Sequence, residues 1–169
     1  MALIVEDGSQ VAGAESYESV AGATAYHLAR GNSTWALLTT GQSEEALRRA
    51  TDYMEQMYRA RWKGWRVSST QVLCWPRAGV EIPDTPYGTL VATDEIPQAV
   101  KDACSEYALK AGAADLAPDL TRGKAAVTVG PIAVTYDTAS PEAKRYRALD
   151  ALLKPFLKAS SANIELVAA

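Results

Sequence analysis

The chain has 169 residues, 48% hydrophobic and 22% charged, which is enough apolar material for one domain with its own core and too much for a disordered chain. Its net charge of −3 argues against a protein that coats duplex DNA through a strongly cationic surface. No apolar run approaches the roughly 20 residues that span a bilayer, and the opening "MALIVEDG" has no basic start, so neither a membrane span nor a secretory leader is expected.

Leu3–Val5 is a short β-prone run ended by the turn residues Asp7, Gly8 and Ser9. Ser16 is the candidate N-cap of a first helix, with Tyr17, Val20, Ala21, Thr24 and Leu28 on one face and Gly31 as its stop. The sole histidine, His27, falls in this helix and reads as a surface or half-buried bystander. After a polar loop through Asn32–Gly41, a second helix begins within 39–43 and runs to about Arg61. Leu47, Ala50, Met54, Met57 and Tyr58 form its apolar stripe, while Arg48/Asp52 and Glu55/Arg59 are i,i+4 charge pairs expected on a solvated outer face.

Gly64 breaks that helix between Trp62 and Trp65, and "SSTQVLCW" (68–75) is expected to make one helical turn stopped by Pro76. A hairpin-like segment follows, with Val80 and Ile82 on one side of "PDTPYG" and Leu90 on the other. Pro97 opens a third helix whose stripe is Ile96, Val100, Ala103, Cys104, Tyr107, Ala108 and Ala111, with Gly112 near its end. Cys104 lies in that stripe. Neither it nor Cys74 has a CxxC spacing or a histidine nearby, so each reads as a small buried hydrophobe in a reducing compartment.

"AVTVGPIAVTYD" carries the best β signal, with Val127 and Val129 alternating before Gly130-Pro131 and Ile132, Val134 and Tyr136 after it. It is either a hairpin or one bent strand. Ser140-Pro141-Glu142 starts a last helix, with Tyr146, Leu149, Leu152, Leu153, Phe156 and Leu157 at helical spacing and Pro155 kinking or ending it. The sequence thus predicts a mainly α fold, a small bundle of about four helices with a β-hairpin insertion and short β-prone termini. It is read as a single domain over 1–169, with 160–169 as a candidate docking tail.

Chemistry is scarce. No nucleophile turn of the G-x-S-x-G type and no glycine-rich phosphate cradle occurs, and Asp115 and Asp119 match no metal loop. An enzyme, a cofactor and a metal are therefore not expected. What stands out is "YMEQMYRARWKGWRVSSTQVLCWPRAGV" (53–80), which holds three of the four tryptophans. Arg59, Arg61, Lys63, Arg66 and Arg77 give residues 58–80 a charge of +5 without an acid, in a chain whose net charge is −3. Base stacking on Trp62, Trp65 and Trp75 would be worth about 1–3 kcal/mol per base. The segment spans a helix end, a glycine break and a turn, however, rather than a strand of the kind that presents stacking residues on a sheet. Core and interface roles suit these tryptophans better.

These same residues carry a resemblance. "RATDYMEQMY", "RWKGWRVSSTQVLCWPRAGV", "DEIPQAVKDACSEYAL" and "VGPIAVTYD" are similar to a tailed-phage family of head–tail connector (adaptor) proteins, over nearly the whole chain. Many of its members are labelled DnaT-like single-stranded-DNA-binding proteins. Trp62, Gly64, Arg66, Gln71, Trp75, Pro76, Arg77 and Gly79 match the family's motif, and Val129, Gly130 and Ile132 match the centre of its hairpin. Trp65, Cys74 and the Ser- and Ala-containing tail depart from it. The resemblance implies a mainly helical subunit of a homo-oligomeric, dodecameric ring in the virion neck, bound to the portal protein above and to a tail-completion or stopper protein below. Genomic DNA would pass through its channel without sequence-specific readout, and before assembly the subunit would be soluble in the host cytoplasm.

Two expectations follow for the subunit. Arg59, Arg61, Lys63, Arg66 and Arg77 are expected to meet acids of the next copy, with the tryptophans partly in the core and partly at that contact. Ile164 and Leu166, in "NIELVAA", are expected to order on docking. The alternative is a DnaT-like replication accessory that binds single-stranded DNA.

Overall fold

A computed structural model describes residues 2–85, 88–118, 126–129, 132–135 and 146–158. Its elements are α1 (Val20–Ala29), α2 (Ser33–Ala36), α3 (Thr40–Tyr58), β1 (Trp65–Arg66), β2 (Arg77–Ala78), α4 (Gln98–Ala113), β3 (Ala126–Val129), β4 (Ile132–Thr135) and α5 (Arg147–Leu153). The fold is mainly helical with small antiparallel pairs β1–β2 and β3–β4, a helical bundle with a β-hairpin as the sequence suggests.

The centre is the packing of α3 on α4. Leu47, Ala50 and Met54 of α3 and Val100, Ala103, Cys104, Tyr107 and Ala108 of α4 are all fully buried. Alanines at 46, 50, 103 and 108 keep both surfaces low, which lets the helix axes approach. Thr39 starts α3 with a capping box, its hydroxyl accepting from Gln42 N while the Gln42 side chain reaches back to Thr39 N. α3 ends at Tyr58, short of Arg61, and its stripe is narrower than expected because Met57 is 49% exposed. Arg48 pairs with Glu15 at 2.9 Å and with Glu44 at 3.8 Å rather than with Asp52.

α1 departs most from the sequence reading. Its N-cap is Ser19, which accepts from Gly22 N; Ser16 instead bridges Val5 in parallel, an isolated bridge where the N-terminal strand is expected. Tyr17 is buried ahead of the helix, Leu28 is 80% exposed, and the core side is Ala23 and His27. His27 is no bystander. Its Nε2 lies 3.0 Å from the Ser105 carbonyl and its Nδ1 3.0 Å from the Asn32 side-chain amide, and its ring packs on Trp35. With both nitrogens partnered, a neutral imidazole buries without an unsatisfied polar atom and takes a position that apolar periodicity assigns elsewhere. Trp35 belongs to α2, inside the expected polar loop, and donates from Nε1 to Thr24 Oγ1.

Residues 68–75 form bends, not a helical turn. Beyond them, Val91 N donates to Val80 O and Ile82 N to Thr89 O, both at 2.8 Å, so the expected hairpin-like segment is present. In β3–β4, Val129 pairs with Ile132, which makes this segment a hairpin rather than a bent strand. Gly130, the Ser140-Pro141-Glu142 helix start, and Ile164 and Leu166 lie outside the described residues. Leu149 and Leu153 of α5 are buried, and Pro155 closes the helix in a 3-10 turn, Lys154–Phe156. Among the described residues no helix is long and apolar enough to cross a membrane.

Candidate functional site

After Tyr58 the chain turns sharply, with Arg61 N and Trp62 N both donating to Tyr58 O. This swings Trp62 inward, where it bridges Leu157 in antiparallel fashion. Lys63 N donates to Phe156 O at 3.0 Å and Lys158 N to Arg61 O at 2.7 Å, stitching the exit of α3 to the exit of α5. Trp62, Trp75 and Phe156 then stack edge to face, with ring centroids 5.6 and 6.0 Å apart. Trp62 and Trp75 are essentially inaccessible, at 1% and 0% exposure.

Trp65 has the opposite fate. Gly64, at φ +62°, turns the chain so that Trp65 and Arg66 pair with Ala78 and Arg77. A Cβ on Gly79 (φ +70°) would come within 2.7 Å of the Trp65 ring. The indole therefore rests on bare glycine backbone and stays 66% exposed.

The loop between the two strands is held from inside. Gln71 accepts from Ser68 N at 2.9 Å and donates to the carbonyls of Leu73 (2.9 Å) and Pro76 (3.0 Å). Buried Arg77 donates to the carbonyls of Lys63 (2.7 Å), Gly64 (2.8 Å) and Cys74 (3.2 Å). Burial lowers the pKa of its guanidinium.

The five cations of the segment are thus not one surface. Arg77 is buried as an internal tie. Half-buried Arg66 donates to Gln71 O and half-buried Lys63 to Pro155 O. Arg59 and Arg61 face outward, with Arg61 held 5.5 Å from the Tyr58 ring. The fold also brings in Lys154 and Lys158, both exposed, which the sequence reading missed because they follow Trp62 at long range. The Trp62–Leu157 bridge and its flanking hydrogen bonds bring the two stretches of chain together.

Glu55 is a second residue the sequence misplaced. Its carboxylate accepts from the Tyr17 hydroxyl and from Cys74 N, the latter at 2.9 Å, instead of pairing outside with Arg59. Cys74 N and Trp75 N also reach the Tyr17 oxygen, at 3.0 and 3.3 Å, so the node pins the tryptophan loop to α3. Burial, and then the Glu55 charge, push the Tyr17 phenol well above its ordinary range. The Cys74 thiol rises to about 12, by burial first and then by its bond to Glu55. Both groups stay protonated, so this thiol is a poor nucleophile. Cys104 is likewise buried, with Sγ 3.4 Å from Thr51 Oγ1 and its pKa raised by burial.

A shallow cavity of about 190 Å³ lies between the second half of α3 and the chain leaving α4, lined by Arg49, Asp52, Tyr53, Asp115 and Leu116 among others. It is smaller than the roughly 300–1,000 Å³ of small-molecule sites. Among the described residues no group of three or more His, Cys, Asp or Glu side chains is placed to hold a metal. What the arrangement offers is one exposed aromatic ring on a glycine shelf, and outward cations at the joined exits of α3 and α5.

These features define a helical domain with a stapled, tryptophan-bearing loop. Residues 1–169 match the model of a protein family described as "Putative DnaT-like ssDNA binding protein", and the chain belongs to that family. No curated protein and no solved structure matches it.

Proposed function

We propose that this chain is a structural head–tail connector (adaptor) of a tailed bacteriophage. Copies form a ring, dodecameric by the resemblance, under the portal in the virion neck; DNA passes through the channel, and a tail-completion or stopper protein docks below. The subunit works by shape and self-association, without catalysis, and waits in the host cytoplasm as a soluble single domain before assembly. The observation that carries this reading is the fate of the tryptophans. Two of the three in residues 53–80 line the core, and Arg77 is committed to backbone carbonyls. One exposed ring and a few outward cations suit a protein–protein contact, whereas tracking single-stranded DNA calls for successive stacking faces. Quantitative mass spectrometry of purified virions tests it. The chain is expected at the abundance of the portal protein, and its absence from virions would overturn the reading.

The family's description favours a second reading, a DnaT-like accessory that binds single-stranded DNA. Exposed Trp65 is the residue available to stack. On this reading oligonucleotide binding falls steeply with salt and with Trp65→Ala. Failure to bind any oligonucleotide at low salt would remove it.

A further inference from the structure

We infer that copies of this chain contact one another by seating an acidic arm, residues 81–95, of one copy on a basic face of the next. The inference deepens the connector reading and rests on its self-association.

The basic face has two sources. Arg59 and Arg61 follow α3, Lys154 and Lys158 follow α5, and the Trp62–Leu157 bridge joins the two chain exits. All four side chains are exposed, and exposed Trp65 follows on the same stretch of chain. No acid occurs in 58–80 or in 151–158. Asp150, which adjoins the second of these stretches, is turned inward to accept from the Tyr58 hydroxyl at 2.6 Å.

The acidic arm is the counterpart. Glu81, Asp84, Asp94 and Glu95 are exposed, and no Lys or Arg occurs between Arg77 and Lys101. Glu81 bridges Leu90, itself 54% exposed, and the loop bearing exposed Asp7 abuts the arm where Gly8 meets the Asp94 carbonyl. The ion pairs found among the described residues are Arg30–Asp102, Arg48–Glu15 and Arg48–Glu44. None of them engages the face or the arm.

Four outward cations at the exits of α3 and α5 thus have their match in four outward acids of the arm. Each side also carries one large exposed apolar residue, Trp65 near the first and Leu90 within the second in sequence, and charge with an apolar contact is what a specific interface uses. Because the two surfaces are different parts of the chain, the contact is head-to-tail, the kind that closes into rings. Nucleic acid is the weaker partner for this face, because each copy also carries the arm's acids, which repel phosphate.

Sedimentation velocity of the full chain tests this, at about 0.01 M and about 1 M salt, where the screening length falls from about 30 to about 3 Å. Wild type should self-associate at low salt and dissociate at high salt. R61E/K158E and E81K/E95K alone should each weaken association by roughly tenfold or more. Mixed together they should associate again, since the reversed face of one meets the reversed arm of the other. Circular dichroism checks that each variant is folded.

A monomeric wild type at low salt, or association indifferent to both variants, would overturn the inference. So would R61E/K158E losing oligonucleotide binding while self-association persists, which would assign the face to nucleic acid. If the chain is found in virions at portal abundance but associates independently of these charges, the connector reading stands and this contact falls. Charge-dependent association by a chain absent from virions gives the converse.

Discussion

At Gly64 the backbone leaves no room for a side chain. A Cβ there would sit 2.1 Å from the Ala78 carbonyl oxygen, at φ +62°. That oxygen is main chain, so it moves only if β1 separates from β2. Gly64→Ala is expected to cost about 1–3 kcal/mol, read as a lower urea midpoint; an unchanged midpoint would mean the turn is not fixed. His27 sets a pH dependence. Burial lowers its pKa below the usual 6.5, as the neutral ring is the form that accepts from Asn32 and donates to Ser105. Between the folded and unfolded pKa values the unfolded chain holds more protons, so stability falls as pH drops below about 6.5. Asp7 and Glu15, lowered mainly by bonds from Ser9 and Arg48, act in the same direction only below their ordinary values of 3.8 and 4.5. Urea midpoints taken between about pH 8 and about pH 5 should therefore fall in wild type and fall less in His27→Gln. Parallel slopes would assign the dependence to other groups.

At the scale of elements, the contrast between α4 and α1 shows what a sequence reveals. All seven stripe residues read for α4 are buried, because each is apolar or small and the helix packs along its length. α1 buries an alanine and a histidine, so a search for large apolar residues selects exposed Leu28 instead. Glu55 and Arg77 escaped for a related reason. Their burial depends on partners far along the chain, such as Tyr17 and the carbonyls of Lys63 and Gly64, which no local pattern encodes. The start of α3 was legible only to within 39–43, and the capping box of Thr39 with Gln42 is what fixes it. Thr39→Ala should cost about 1 kcal/mol, measured by chemical denaturation. Tyr58→Phe should cost about 1–3 kcal/mol, since that hydroxyl joins α3 to Asp150 of α5 and lies 2.7 Å from the Tyr107 hydroxyl of α4. A neutral result would place the join between helices in apolar packing alone.

For the whole molecule, the tryptophans divide into supports and a single outward contact. Trp75→Ala should destabilise by about 3–5 kcal/mol, while Trp65→Ala should stay within about 0.5 kcal/mol of wild type. Thermal unfolding of the two variants compares them directly, and the reverse order would contradict the division. Trp65→Ala should also weaken self-association at unchanged stability.

The Trp62–Leu157 bridge has a consequence for biosynthesis. Trp62 and Trp75 are covered in part by Phe156 and Leu157, which leave the ribosome long after them. At about 5–20 residues per second, the interval from Trp62 to Leu157 lasts roughly 5–20 s. During that time the emerging polypeptide shows two large indoles with no lid, a natural target for chaperones. Closure waits for the α5 segment to clear the exit tunnel.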